Sequence, residues 1–432
     1  VIFDGVFNHT GRDFFAFKDI QHNRESSQYR DWYCNVNFQG NNEYNDGFSY
    51  DNWGGYNLLV KFNQQNPAVR KYLLDVVKYW VSEFDVDGIR LDAADVLDFG
   101  FMHELRMLAN EIKPEFWLMG EVIHGDYSRW VNSDMLHSVT NYQLYKALYS
   151  GHNEHNYFEI AHTVRYLLDK GNLPYYLYNF VDNHDVERIY TRLLNKHEFV
   201  PVHILMYTLP GIPSVYYGSE FGIEGRKEKH SDVVLRPAIN LEDYPNALDE
   251  NGCTNIIARL GEIRQKNSVF SDGIYQELRL TNRQYAFSRT NEITQAIVVV
   301  NNDEVDSSLD IPATGTYTEL LSGEIQSVDG NLHVHLHACS GQIWMKDYDE
   351  TVTRKREVKI PEIKQVALKE ETIKQVTVDH SKSYEEMSIE ELQACVLEKL
   401  AKNGPVTEQM KRDVANNVYH DSLINWVKSF RN

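Results

Sequence analysis

Four short apolar runs, each closed by a carboxylate, restrict this chain more than any other feature. They are Val1-Ile2-Phe3 before Asp4, Gly88-Ile89-Arg90-Leu91 before Asp92, Phe116-Trp117-Leu118-Met119-Gly120 before Glu121, and Tyr176 to Val181 before Asp182-Asn183-His184-Asp185. A strand buried on both faces of a parallel sheet is a nearly continuous apolar run. An acid placed where such a run stops therefore lies at the strand's C-terminal end. In a barrel of parallel strands, that end is where reacting groups gather.

The segments between the runs support the same architecture. Asn66-Pro67 predicts an N-cap and first-turn proline, followed by a helix that buries Val69, Leu73, Val76, Val77, Trp80 and Phe84. A second helix carries Phe101, Leu105, Leu108 and Ile112 on one face and ends at Pro114. This βαβα rhythm predicts an α/β fold, a parallel sheet with helices outside it, over residues 1–267. The polar, aromatic-rich stretch 11–63 has little helical periodicity and is too long for a connection, so it predicts a small inserted domain. Residues 268–347 change to short strand patterns at Arg283–Arg289, Thr294–Val300, Thr316–Leu321 and Asn331–Met345. Turn signals at Ser322-Gly323 and Asp329-Gly330 complete the picture of a C-terminal antiparallel β-sandwich. A charged linker is expected over 348–386 and a helical tail over 387–432, opened by the capping box Ser388 and Glu391.

Composition removes several classes of partner. The formal net charge of -20 argues against nucleic acid and against anionic membranes, which are bound through positive surfaces. The longest apolar region, Phe199 to Gly218, is broken by Pro201, Pro210 and Pro213 and predicts a core helix followed by a strand, not a membrane span. Cys34, Cys253, Cys339 and Cys395 are far apart and form no CxxC pair. That spacing suits reduced thiols and a cytoplasmic location. The opening inside a strand pattern, with no initiator Met, suggests a fragment whose missing start could carry a targeting signal.

Three of the strand-end acids suit one chemistry. Cleaving a glycosidic bond with retention needs two carboxyl groups about 5 Å apart, one attacking the anomeric carbon and one donating a proton. A further anion stabilises the charge that develops on the sugar ring. Asp92, Glu121 and Asp185 can fill these places, because Asp92 and Glu121 lie one βα unit apart and so belong to neighbouring strands. Arg90 shares a strand face with Asp92, and an arginine beside a carboxylate favours the charged form that a nucleophile requires. Glu121 follows Trp117 and Met119, and an apolar setting raises a carboxyl pKa toward general-acid duty. His9 and His184 offer donors to sugar hydroxyls. Asp85, Asp87, Asp95 and Asp98 are taken as structural. Of Trp32, Tyr33, Tyr44, Tyr50, Trp53 and Tyr56 in the inserted region, one or two are expected along a sugar cleft and the rest in that region's core. The run Asn41 to Asp51 is taken as a solvated loop in preference to a site for a hard cation.

In these residues the chain resembles the α-amylase family of glycoside hydrolases. Asp4-Gly5-Val6-Phe7-Asn8-His9, Gly88-Ile89-Arg90-Leu91-Asp92-Ala93, Gly120-Glu121-Val122 and Phe180-Val181-Asp182-Asn183-His184-Asp185 are similar to the family's four signatures, in order. Leu59 to Asn63 and Gly211 to Gly218 are weaker echoes.

The resemblance implies a TIM (β/α)8 barrel whose first two strands would precede Val1. It also implies a double displacement through a covalent glycosyl intermediate on Asp92, with Glu121 as acid/base and Asp185 stabilising the transition state. His9, Arg90, Asn183 and His184 would contact substrate or the carboxylates. No cofactor is required for that chemistry, although Asn8 matches a position that binds structural calcium in many members. The implied partner is an α-1,4-linked glucan oligosaccharide, with a second copy of the chain as a possible homodimer partner. Ala94-Asp95 stand where many endo-acting members have Lys-His, which tilts the resemblance toward cyclomaltodextrinase, neopullulanase and maltodextrin glucosidase. An α-glucan transglycosidase, or an inert binding homologue, are the alternatives.

Overall fold

The computed structural model describes residues 1–346 except residue 230, residues 383–403 except 385 and 386, and Val414 and Val427. The linker predicted over 348–386 lies almost wholly outside these residues, as does most of the tail beyond Asn403.

Strand β1 (Ile2–Gly5) is followed by an excursion that carries β2 (His9–Gly11), β3 (Asn52–Trp53) and β4 (Tyr56–Lys61). The chain then makes β5 (Gly88–Leu91), β6 (Trp117–Gly120), β7 (Ser138–Val139), β8 (Tyr178–Asn179) and β9 (Ile212–Pro213). Strands β1, β5, β6 and β7 are neighbours in that order, and β8 pairs with β9. A parallel bridge from Thr140 to Tyr178 joins the two groups. Six parallel strands therefore stand side by side in chain order as successive staves of a (β/α)8 barrel, with helices returning the chain between them.

The register sets the height of everything above it. Leu91 is the partner of both Gly5 and Gly120, and Gly120 is the partner of Val139. Asp92 and Glu121 each stand one residue above that common layer, on adjacent strands. Gly120 is required there, since a Cβ on it would come within 2.8 Å of the Ala94 Cβ and 2.5 Å of Leu136.

The helix after the excursion, Pro67–Phe84, starts where Asn66 Oδ1 accepts the Ala68 amide at 2.9 Å. It buries Val69, Leu73 and Val77. Phe84, assigned to the same apolar face, is instead 53% exposed. It is the helix's last residue, and its ring meets only the edge of the core, against Phe3 of β1 and Tyr79. The helix Phe99–Ile112 is capped by Asp98, whose Oδ1 accepts the Phe101 amide at 2.9 Å.

The excursion contains a helix, Phe15–Asn23, that its sequence pattern does not announce. Nine residues give only three buried positions, Ala16, Phe17 and Ile20, too few for a clear period. Around Phe17 gather Tyr33, Phe48 and Tyr50, an aromatic core beside the antiparallel sheet β2-β4-β3.

The C-terminal region holds β10 (Ile274–Leu280), β11 (Gln284–Thr290), β12 (Gln295–Asn301), β13 (Ser307–Glu319), β14 (Ile325–Leu336) and β15 (Ser340–Lys346). In place of two separate sheets, these strands form one antiparallel sheet in the order β10-β11-β12-β15-β13-β14. Asp329-Gly330, predicted as a turn, lies inside β14 and pairs with Ala313 and Thr314. Gly330 (φ 124) and Gly315 (φ 126) take backbone angles open to glycine, which lets the long hairpin bend without ending. Beyond the bend, Ile311, Leu332, Val334 and Leu336 pack on Ala286, Ile297, Val299 and Trp344. The hairpin thus covers one face of its own sheet, and the other face, through Val298, Val300 and Ile343, packs in one cluster with Ile204 and Leu205 of the barrel helix Phe199–Thr208.

In the tail, the helix Ile389–Asn403 opens on a reciprocal cap. The Ser388 amide donates to Glu391 at 2.8 Å and the Glu391 amide donates to Ser388 Oγ at 3.2 Å. No helix among the described residues is long and apolar enough to cross a membrane.

Candidate active site

Arg90 is the hub of the rim. It sits in β5 opposite Asp4 in β1, and its Nη1 donates to Asp4 Oδ1 at 2.6 Å and to Asp92 Oδ1 at 3.1 Å. Its Nη2 lies 3.0 Å from Glu121 Oε1. Burial works against the guanidinium charge, yet Glu121, Asp4 and Asp92 together hold its pKa above the ordinary value. One cation thus gathers three carboxylates from three consecutive staves.

Glu121 is the least accessible of them, 8% exposed. Its Oε2 accepts the Ala93 amide at 3.2 Å. Ala93 points that amide across the strands by adopting a left-handed conformation (φ 47), a strained geometry for a residue with a Cβ. Burial raises the Glu121 pKa. Arg90 and the Ala93 amide oppose that rise, while the charges of Asp92 and Asp185 add to it. Asp185 is therefore close enough to be felt at Glu121, although it arrives from the far side after β8.

The segment after β8 is fixed from below. Asp182 is buried and accepts the Ile189 amide at 2.8 Å and the Ser219 hydroxyl at 2.8 and 2.7 Å. Burial pushes its pKa up to about 6. Asn183 Oδ1 accepts the amides of Asp185 and Val186 at 2.8 and 3.1 Å, which turns Asp185 back over the barrel mouth. Asp185 then lies against His184 Nε2 at 3.1 Å and Arg236 Nη2 at 2.9 Å. Asn183 Nδ2 also donates to the Tyr142 hydroxyl at 3.1 Å. The Tyr142 pKa is raised chiefly by burial, with Glu121 and Asp185 adding to it. Tyr142 thus feels the charge of both acids.

On the opposite side, His9 stacks on Trp53 with ring centroids 5.6 Å apart. Burial lowers the His9 pKa and Asp92 opposes that shift, so His9 faces the same hollow. Of the six aromatics considered for the cleft, Trp53 is the one in this position. Tyr33 and Tyr50 fill the excursion's core, Trp32 is partly buried against it, Tyr44 lies over Arg12, and Tyr56 is exposed. In the run Asn41 to Asp51, Asp46 is consumed by a two-pronged ion pair with Arg12 at 2.7 and 2.9 Å.

Asn8 is buried, with its amide nitrogen 3.3 Å from His9 Nδ1.

The structure brings Asp92, Glu121, Asp185, Arg90, His9, Asn183 and His184 around one mouth. Asp4, Tyr142, Arg236 and Lys227, whose Nζ donates to the Asp185 carbonyl at 2.6 Å, complete it and were not among the residues chosen from sequence. Asp4 was visible as a strand-end acid. Arg236 and Lys227 lie in an irregular stretch with no periodicity, and nothing in the sequence pairs them with Asp185.

Comparison with known proteins agrees with this architecture. Residues 1–268 match the family "Alpha amylase, catalytic domain", and residues 279–371 match "Alpha amylase, C-terminal all-beta domain". A cyclomaltodextrinase of Thermoanaerobacter pseudethanolicus is 32% identical over 70% of this chain and 52% of its own length. Neopullulanase 2 of Thermoactinomyces vulgaris is 30% identical over 79% of this chain and 59% of its own length. A solved structure of the Nostoc punctiforme debranching enzyme superposes with a TM-score of 0.67 at 28% identity, covering 80% of this chain and 75% of that one. The chain spans a little over half the length of these two curated relatives.

Proposed function

The chain belongs to the α-amylase family, and on that footing we propose that it carries the catalytic centre of a retaining glycosidase that cleaves α-1,4-glucosidic bonds in maltodextrins and cyclodextrins. The observation that carries this reading is the Arg90 guanidinium, which holds Asp92 and Glu121 side by side above one layer of the barrel. Two carboxyls on adjacent strands that share one arginine, one more buried than the other, can supply the nucleophile and the acid of a double displacement.

In the first step Asp92 Oδ attacks the anomeric carbon. The glycosidic C–O bond breaks, and protonated Glu121 delivers its proton to the departing sugar oxygen. Positive charge builds on the ring as the bond breaks, and Asp185, held by His184 and Arg236, lies where it stabilises that charge. The product is an ester on Asp92, a neutral group. The charge of Asp92 is one of the causes that raise the Glu121 pKa, so ester formation lowers it. Glu121, now an anion, takes a proton from water. The water oxygen bonds to the anomeric carbon, and the Asp92 carboxylate leaves. Burial thus prepares Glu121 as an acid, and the consumption of its neighbour's charge turns it into a base.

The relatives named cyclomaltodextrinase and neopullulanase support short or cyclic α-glucans as substrates. Asp92→Asn lowers kcat by about 10³ or more while maltotriose still binds, because the covalent route is gone. Near-normal turnover by that variant refutes the assignment. Products from maltotriose decide the acceptor, since chains longer than maltotriose form only when a sugar replaces water.

A further inference from the structure

A second set of side chains, far from the barrel mouth in sequence and on another sheet, has the composition of a metal site. In β14 the run His333-Val334-His335-Leu336-His337 alternates strictly. Val334 and Leu336 are buried under the hairpin, so the histidines point outward together, the last just past the strand's end. On the facing edge, Asp306 just before β13 and Ser308 and Asp310 within it follow the same alternation, with Ser308 opposite His335 and Asp310 opposite His333.

These side chains are oriented. Asp306 Oδ1 accepts the Ala338 amide at 3.0 Å, which leaves Oδ2 directed at two imidazoles. Oδ2 lies 3.1 Å from His337 Nδ1 and 3.6 Å from His335 Nε2. His335 is held from behind, since its Nδ1 lies 3.0 Å from the Ser308 hydroxyl. That contact keeps Nε2 facing Asp306. An imidazole steered by a hydrogen bond at its other nitrogen is a recurring feature of metal ligands.

We propose that Asp306, His335 and His337 form a surface site for a borderline transition-metal ion of the Zn2+ class. Metal–nitrogen and metal–oxygen bonds of about 2.1 Å at tetrahedral angles put ligand atoms about 3.4 Å apart. Both carboxylate–imidazole separations lie within a few tenths of an ångström of that value. One ligand atom from each residue lies within 4.8 Å of the others, and the exposed imidazoles need only a small rotation to close the remaining gap. Two imidazoles and one carboxylate select Zn2+, Cu2+ or Ni2+ over Ca2+ and Mg2+, which prefer oxygen alone. Three protein ligands leave the fourth position to water. Bound metal ties the loop before β13 to the turn after β14, fastening the open end of the hairpin. His333 falls outside the cluster whose ligand atoms lie within 4.8 Å of one another, and its Nδ1 meets Asp310 Oδ1 at 2.6 Å instead.

The test is a zinc titration of the full chain at pH 7.5, read by calorimetry and by competition with a chromophoric chelator. One equivalent binds to the native protein, and Ca2+ gives no comparable heat. His335→Ala, His337→Ala and Asp306→Asn each weaken that binding about tenfold or more, whereas His333→Ala does not. Asparagine at 306 can still accept the Ala338 amide, so the hairpin is kept while the anionic ligand is removed. Lowering the pH to 5.5 weakens binding in the native protein, since protonated imidazoles do not ligate. Zinc affinity unchanged in the His335 and His337 variants, or no zinc binding by the native chain, overturns the site.

Discussion

Two buried glutamates make the most informative pair in this molecule. Glu121, at the barrel mouth, is 8% exposed, and Glu198, at the seam between barrel and β-domain, is 1% exposed. Burial raises the pKa of both. Their partners differ. Glu121 has Arg90 on one oxygen and the Ala93 amide on the other. Glu198 has no hydrogen-bond partner on either oxygen, and the imidazole nitrogen beside it, His155 Nδ1, is 3.5 Å away and already 2.6 Å from the Asn302 carbonyl. Its pKa is raised to about 7. Arg283 pulls that value down and Glu304 pushes it up, while Tyr157 and Cys339 are further titratable groups that feel its charge. A raised carboxyl is therefore not by itself a catalytic acid. In the proposed mechanism Glu121 acquires that role from a charged neighbour, Asp92, whose charge the reaction removes, and Glu198 has no such neighbour.

The contrast can be broken most severely at Glu121. Glu121→Gln lowers kcat on maltotriose by about 10²–10⁴, the usual range for loss of a general acid/base. With a maltosyl fluoride, whose leaving group needs no proton, formation of the Asp92 ester recovers while its hydrolysis stays slow. Equal losses on both substrates contradict the acid role. Glu198→Gln leaves kcat within about twofold, because that side chain is remote from the mouth.

Glu198 shows its effect in stability against pH. The folded protein keeps the Glu198 proton between the ordinary carboxyl value of 4.5 and about 7, and the unfolded chain does not. Protons bound to the folded state favour it, so this contribution is full below that window and is lost as pH rises through it. Denaturant titrations at pH 5 and pH 8 should show Glu198→Gln gaining on the native protein by on the order of 2 kcal/mol at the higher pH. A difference that is flat with pH removes Glu198 from the account.

The smallest expected effect is at Trp53. Trp53→Ala removes the ring stacked on His9 and raises KM for maltodextrins a few-fold, about 1 kcal/mol, with kcat less changed. A loss confined to kcat would place Trp53 outside the substrate surface.

The same division separates what the sequence carried from what only folding could settle. The parallel strands were legible because burial on both faces forces continuous apolar runs. The acids were legible because they interrupt those runs at Asp4, Asp92, Glu121 and Asp182–Asp185. Helix starts at Asn66 and Ser388 follow from local hydrogen bonds that a short motif specifies completely. The helix Phe15–Asn23 and the course of β13 and β14 were not legible. Nine residues give too little period, and Gly315 and Gly330 look like chain breakers although paired strands absorb their bends. Arg236 on Asp185, Tyr142 on Asn183, and the left-handed Ala93 aimed at Glu121 depend on strand register and loop return. Pattern is a property of neighbours along the chain, whereas charge pairing and pKa depend on distances through space. Residue types and their order determined which groups could react, and tertiary packing alone decided which of them feel one another.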